Sequence, residues 1–312
     1  VTMANYDQAK LSPDLFAPAD RDPNGAEKFQ RKSRTAWQDI RYRLTGNKLA
    51  MTGFWLMAAL VLIAIVAPIL SPYDHFTNDL QHTNQAPDSA HWFGTDDLGR
   101  DLFVRTWKGA QVSLFVGVAA ALIDLVIGIV YGGIMGYFGG KVDEIMNRFA
   151  EVLYAIPYLL VVILLLVVME PSLTTIIVAM SITGWINMAW IVRGEMMRLK
   201  NQEYALASRA LGAGSMRIIF RHLIPNAMGP ILVTLTLTVP SAIFTEAFLS
   251  FLGLGVQSPV ASWGTMINDG VKSMNIYPWR LLFPAFFLSL TIFAFNIFGD
   301  GLRDAFDPKL KK

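Results

Sequence analysis

Six stretches of this 312-residue chain stay almost entirely apolar for close to a bilayer's thickness: Leu49 to Leu70, Val112 to Met135, Phe149 to Met169, Leu173 to Val192, Ala227 to Leu252 and Leu281 to Phe298. A helix rises about 1.5 Å per residue, so roughly 20 apolar residues cross the hydrocarbon core. Between the stretches the chain is polar. With 54% hydrophobic and 16% charged residues it is too apolar for an ordinary soluble protein and too charged to lie in membrane throughout. The reading is an all-α polytopic membrane protein with six transmembrane helices.

Basic residues resist transfer across the membrane, so their placement sets orientation. With the N-terminus inside, 21 of the 26 Lys and Arg residues fall on inner segments, and Arg100, Arg105, Lys108, Lys272 and Arg280 fall outside. Both termini are therefore expected in the cytoplasm. The division that follows is a cytoplasmic tail over 1–48, a first span over 49–70, an extracytoplasmic loop over 71–111, a five-span core over 112–300 holding a cytoplasmic loop at 193–226, and a cytoplasmic tail over 301–312. The polar start lacks the short basic and apolar regions of a cleaved signal, so the first apolar run reads as permanent. Within the tail, Phe29, Trp37, Ile40 and Leu44 recur at near-helical spacing among Arg31, Lys32, Arg34, Arg41 and Arg43. This fits an amphipathic helix on the inner membrane surface, with a solvated basic tail as the alternative. Residues 1 to 27, with Pro13, Pro18 and Pro23, are expected to be disordered.

Inside the spans, Gly128, Gly132 and Gly136 leave one helix face bare for a close neighbour. Thr234, Thr238, Ser241 and Thr245 fall on one face of the fifth span, which Pro230 and Pro240 can bend. That stripe suits the wall of a water-filled path, or hydrogen bonds between helices. Asp124 and Glu246 are ionisable groups at membrane depth and are expected to face the protein interior.

Much chemistry is missing from the sequence. Cysteine is absent, which removes disulfides, iron–sulfur sites and thiol catalysis. The Gly140-Lys141 pair resembles the end of a phosphate-binding loop, but Met135 stands where its first glycine would be. No H-E-x-x-H or G-x-S-x-G pattern occurs. His75, His82 and His91 share the first outer loop at irregular spacing and read as solvated residues before metal ligands. No catalytic or metal site is expected, and no nucleotide hydrolysis by this chain alone.

The loop "ALASRALGAGSMRIIFRHLIPN", Ala205 to Asn226, is different. Its first half favours helix, Gly212 and Gly214 end that helix, and Met216 to Leu223 forms a second piece before Pro225. Small residues would let another surface approach, Met216, Ile219 and Phe220 offer an apolar plug, and Arg209, Arg217 and Arg221 supply rim charge. A protein-docking knob and a lipid-surface loop both fit this chemistry.

The segment resembles the cytoplasmic "EAA" loop of importer permeases of the ATP-binding-cassette (ABC) class, E-A-A-x3-G-x9-I-x-L-P. Here the pattern falls on Leu206-Ala207-Ser208, Gly212, His222, Ile224 and Pro225, with Leu206 where the glutamate is expected. "FGTDDLGRD" from Phe93, "GAQVSLFVG", "NKLAMTGFWL", "EAFLSFLGLGVQSPVASWGTMI" from Glu246 and the C-terminal "GDGLRDAFDPK" are similar, in order, to the C-type permease subunit of dipeptide and oligopeptide importers. The resemblance implies a type I ABC importer permease fold and alternating access by rigid-body motion. Implied partners are a homologous second permease forming a heterodimer, two cytoplasmic ABC ATPases, an extracytoplasmic solute-binding protein, a peptide substrate and the bilayer of a bacterial or archaeal cytoplasmic membrane, with no nucleic acid. No cofactor is implied in this chain; ATP and Mg belong to the ATPases. ATPase coupling would fall to Ala205, Ala207, Ser208, Arg209, Ala210, Gly212, Ser215, Met216, Arg217 and Phe220, and the substrate path to the Thr234, Thr238, Ser241 and Thr245 stripe. Nickel or another small solute remains open as cargo. A self-sufficient secondary transporter would need internal repeats or an ion-coupling cluster, which the sequence lacks, and a receptor or scaffold would use the loop for binding alone.

Overall fold

In the computed structural model, residues 35–257 and 259–307 are described. Helix α1 (Ala36–Gly46) opens with a capping box, Thr35 accepting from the Gln38 N–H while the Gln38 side chain accepts from the Thr35 N–H. It is followed by α2 (Lys48–Leu70), α3 (Leu102–Phe138), α4 (Gly140–Ala155), α5 (Tyr158–Met169), α6 (Leu173–Thr183), α7 (Trp185–Leu199), α8 (Glu203–Ala210), α9 (Ser215–Ile218), α10 (Ile224–Phe251), α11 (Trp263–Ser273) and α12 (Trp279–Phe306). Of the surface-helix residues, Trp37, Ile40, Arg41, Arg43 and Leu44 lie on α1, whereas Phe29, Arg31, Lys32, Arg34 and the segment expected to be disordered lie outside the described residues. Trp37 meets Phe306 edge-on and Arg43 donates to the Asp307 carbonyl, so α1 is fastened to the end of α12.

Helix α3 is the hub, packing on α2, α4, α6, α7 and α10. The glycine face allows this. A Cβ at Gly132 would lie 2.2 Å from the Ala189 carbonyl oxygen, and one at Gly136 2.5 Å from that of Arg193. No side chain could occupy either place without driving α3 and α7 apart, and close backbone approach is how helices gain contact where lipid offers no hydrophobic drive.

Among the described residues, five helical stretches are long and apolar enough to cross a bilayer: Lys48–Leu70, Leu102–Phe138, Leu173–Leu199, Ser215–Phe251 and Trp279–Phe306. The expected span from Phe149 to Met169 is not a single helix. That run straddles α4 and α5, which meet at an angle of 79° around Ile156 and Pro157, and they make a sixth crossing only as a broken pair. Proline disfavours helix at the residue before it and lacks the N–H that would continue the ladder, so the apolar run outlasts the helix. The fourth run is also divided, with Gly184 between α6 and α7. At the other spans the helices outreach the apolar runs: α3 starts ten residues before Val112, and α12 continues past 300 to Phe306.

Pro225 does not end a separate helix. The chain passes from α9 through a π-turn at Ile219–Leu223 directly into α10. In that turn the Ile224 N–H bonds the Ile219 carbonyl, and the wider winding accommodates a proline ring one residue later.

Candidate functional site

The loop between α7 and α10 is built on a buried floor. Met196, Leu199, Ala205, Ile218, Ile219, Leu223 and Ile224 form one apolar cluster with Tyr137 at the end of α3. Lys200 Nζ donates to the Gly136 and Tyr137 carbonyls at 2.8 and 3.1 Å, closing the C-terminal end of α3 with a cation where the helix dipole favours one. Arg193 clasps Asp143 through two hydrogen bonds of 2.5 and 2.6 Å, fixing α4 to α7.

Helix α8 ends in a Schellman turn. The Ala213 N–H reaches the Ser208 carbonyl and the Gly212 N–H the Arg209 carbonyl, both at 3.0 Å, with Gly212 at φ +82°. No other described atom lies within 4 Å of where a Gly212 Cβ would sit, so this glycine is needed for its backbone angle in this chain. Partial burial pushes the Tyr204 phenol above its ordinary range.

The expected coupling residues divide. Ala207, Ala210, Gly212, Met216, Arg217 and Phe220 are exposed, and Ser208 and Ser215 are half-buried. Ala205 is not at the surface; it belongs to the floor, as does Ile219 of the expected plug. Arg209 is exposed yet engaged, its Nη2 donating to the Tyr137 hydroxyl at 3.2 Å and its guanidinium 5.4 Å from that ring's centre. Leu211 is 89% exposed at the end of α8. Leu206, Met216 and Phe220 are exposed with it, giving the loop an apolar crown on a packed base. The signal for Leu211 was its place immediately before a helix-ending glycine, where a side chain projects from the turn.

The stripe on α10 is not an internal wall of this chain. Ser241 is exposed, and Thr234, Thr238 and Thr245 are half-buried. Each hydroxyl donates to the carbonyl four residues back, at 2.8, 2.9, 3.0 and 2.8 Å for 234, 238, 241 and 245, which leaves only acceptor lone pairs outward. Exposed Phe244 and Phe248 stand beside them with rings 6.5 Å apart and nearly parallel. Leu235, one residue past Thr234, packs inward against two buried clusters.

At the opposite end, Phe93–Asp101 forms a folded cap. Asp96 accepts from the Leu98 and Arg100 N–H groups at 2.9 Å and from Arg100 Nε at 2.7 Å, with Arg105 Nε at 3.3 Å. Asp101 caps α3 through the Val104 N–H and holds His91 Nδ1 at 2.8 Å. Arg280 ties the cap to α12 through Asn84 and Asp97, both at 2.9 Å. His91 is thus largely buried rather than solvated, while His82 is exposed and its hydrogen bond holds the Asp79 carboxyl below the usual range. Among the described residues, no group of three or more His, Asp or Glu is arranged to hold a metal. Glu246, fully buried, accepts from Ser113 and Ser250 hydroxyls at 2.7 Å, joining α3 to α10 beneath this cap.

The family of binding-protein-dependent transport system inner membrane components matches residues 128–312, and the N-terminal transmembrane domain of oligopeptide transport permease C matches residues 35–87. The oligopeptide transport system permease protein OppC of Bacillus subtilis (strain 168) is 58% identical over 298 residues, covering 96% of this chain and 98% of that protein. The chain belongs to this family of ABC permeases. The dipeptide transport system permease protein DppC of the same strain is 57% identical, covering 92% of this chain and 90% of its own, and OppC of Escherichia coli (strain K12) is 46% identical, covering 92% and 95%. The permease also shares its fold with a chain of the MetNI methionine ABC transporter in inward-facing conformations, at a TM-score of 0.53 and 17% identity, over 64% of this chain and 94% of that one. It is accordingly an ABC permease subunit with the type I importer fold.

Proposed function

We propose that this permease is one half of the translocation path of an ATP-driven peptide importer, moved by separate ATPases that grip the loop from α8 to the π-turn. The observation that carries the reading is the apolar crown of Leu206, Leu211, Met216 and Phe220 on a buried floor. Full burial of one leucine stabilises an interface by about 1.5–3 kcal/mol, enough for a few side chains to transmit force from a partner. Lys200 and Arg193 brace the floor against α3 and α4, so displacement of the loop moves those helices as a body. Nucleotide is bound and hydrolysed in the partners; this chain supplies the moving wall.

The α10 stripe, with its donors already used and aromatic rings beside it, suits a passage shared with a homologous second permease. A peptide would meet weak acceptors and ring faces there, and tight hold would obstruct release. Oligopeptide and dipeptide relatives match almost equally, which supports peptide as the cargo class. The solute arrives from an extracytoplasmic binding protein on the side of the Phe93–Asp101 cap, and both termini lie in the cytoplasm of a bacterial or archaeal cell. Co-expression of the chain with its neighbouring transporter genes and reconstitution in liposomes tests this. Peptide uptake that requires ATP, the ATPases and the binding protein is expected; uphill uptake by this chain alone, or nickel uptake without peptide uptake, refutes it. Since the native sequence has no cysteine, a single one at position 211 should label from the cytoplasmic side and one at Leu80 from outside.

A further inference from the structure

Three buried polar atoms on α3, α5 and α6 have no hydrogen-bond partner among the described residues: Asp124 Oδ1, the Tyr158 hydroxyl and Ser181 Oγ. They come from three helices at three singular places. Asp124 lies mid-way along α3 and is 5% exposed. Tyr158 is the first residue of α5, immediately after the 79° bend. Ser181 lies one turn before Gly184, the joint between α6 and α7, and shares its helix face. The joint has no side chain because the carboxylate occupies the space: a Cβ at Gly184 would lie 2.2 Å from Asp124 Oδ2. Tyr158 packs against a buried cluster that includes Ala120, one turn before Asp124 on the same helix.

The chemistry of the three is complementary. Asp124 accepts, and Tyr158 and Ser181 each carry a hydroxyl that can donate. Leaving such buried groups unpaired is costly. Because Tyr158 begins the segment beyond the bend, a rotation of α5 about Ile156 and Pro157 re-aims its phenol through a short arc close to the pivot, while the glycine joint leaves the carboxylate unobstructed.

We propose that Asp124 and Tyr158 are positioning residues of the transport cycle: their hydrogen bond, absent in the conformation described here, forms when α5 swings about its bend, and it stabilises the opposite state of the gate. This rests on the alternating-access reading above. A hydrogen bond to a carboxyl oxygen made in one state only shifts the balance between states by about tenfold.

The absence of cysteine allows spin labels at two introduced positions on either side of the bend, Ile145 on α4 and Val167 on α5, both exposed. In the complete transporter in liposomes, pulsed electron-paramagnetic-resonance distances between them should show two populations whose ratio changes between the nucleotide-free and ATP-trapped states. Tyr158→Phe should shift that ratio about tenfold toward one population, Asp124→Ala should do the same, and the double variant should go no further. Asp124→Asn, which keeps an acceptor oxygen, should recover most of the native ratio. Additive effects in the double variant, or a single distance in every nucleotide state while uptake proceeds, would overturn the proposal. ATP-dependent peptide uptake is measured in the same liposomes: its absence from the unsubstituted transporter overturns the transport reading, whereas its presence with a fixed bend overturns only the role of this pair.

Discussion

Gly212 separates two explanations that the sequence cannot tell apart, a glycine kept so that a partner can come close and a glycine kept for its backbone angle. At φ +82° an L-residue pays about 1–2 kcal/mol, and the open space around the missing Cβ adds no steric cost within this chain. Escape from that angle would break the Schellman bonds to Arg209 and Ser208, so the loop has no inexpensive alternative. A penalty of 1–2 kcal/mol reduces the population of the native loop geometry by about 5–30-fold. Gly214 provides the internal control: it is equally open, but its φ of −67° suits any residue. In liposomes containing the whole transporter, cargo-stimulated ATP hydrolysis should fall strongly for Gly212→Ala, less for Gly212→Asn because asparagine tolerates this region, and most for Gly212→Val. Gly214→Ala should stay near the native rate. Equal damage from Gly212→Ala and Gly214→Ala would show that closeness of approach, not backbone angle, governs the loop, and the reasoning would fail.

Leu211→Ala should weaken retention of the ATPases roughly tenfold in a detergent pull-down, since most of a buried leucine's contribution is lost; unchanged retention would remove Leu211 from the interface. Asp96→Ala strands the buried Arg100 and Arg105 guanidiniums and should destabilise the outer cap by about 3–5 kcal/mol, seen as a lower melting temperature and faster proteolysis from outside. Glu246→Ala should destabilise by about 1–3 kcal/mol for each of Ser113 and Ser250 left without its acceptor, and Glu246→Gln by less, by the same thermal measurement. Gly132→Ala should lower the melting temperature by forcing α3 from α7, whereas Gly194→Ala, with open space and helical backbone, should leave it unchanged or raise it.

Much of the bundle was legible because lipid imposes a strong rule: a crossing segment must be long, apolar and internally hydrogen-bonded. Hence α2 falls close to its run, and the Gly128, Gly132 and Gly136 spacing points to a close neighbour, which is α7. The same rule misleads at Phe149–Met169, since an apolar count is blind to a bend at Pro157. It also misses the helical residues 102–111, where Arg105, Thr106, Lys108 and Gln111 interrupt the apolar run. In the loop, the helix, the glycine turn and the small residues could be read directly, because capping is local chemistry.

By itself the sequence determined the membrane class, the number of apolar runs, the positions of the helix breaks' prolines and glycines, and the family likeness, because each is written in residue type and spacing along the chain. Only the tertiary structure decided which side chains face outward: that Ala205 is floor and Leu211 crown, that Arg209 rests on Tyr137, that Leu235 turns inward, and that Asp124 sits against Gly184 at the joint between α6 and α7. Those outcomes depend on contacts between residues tens of positions apart, and periodicity fixes a helix face without saying which neighbour will cover it.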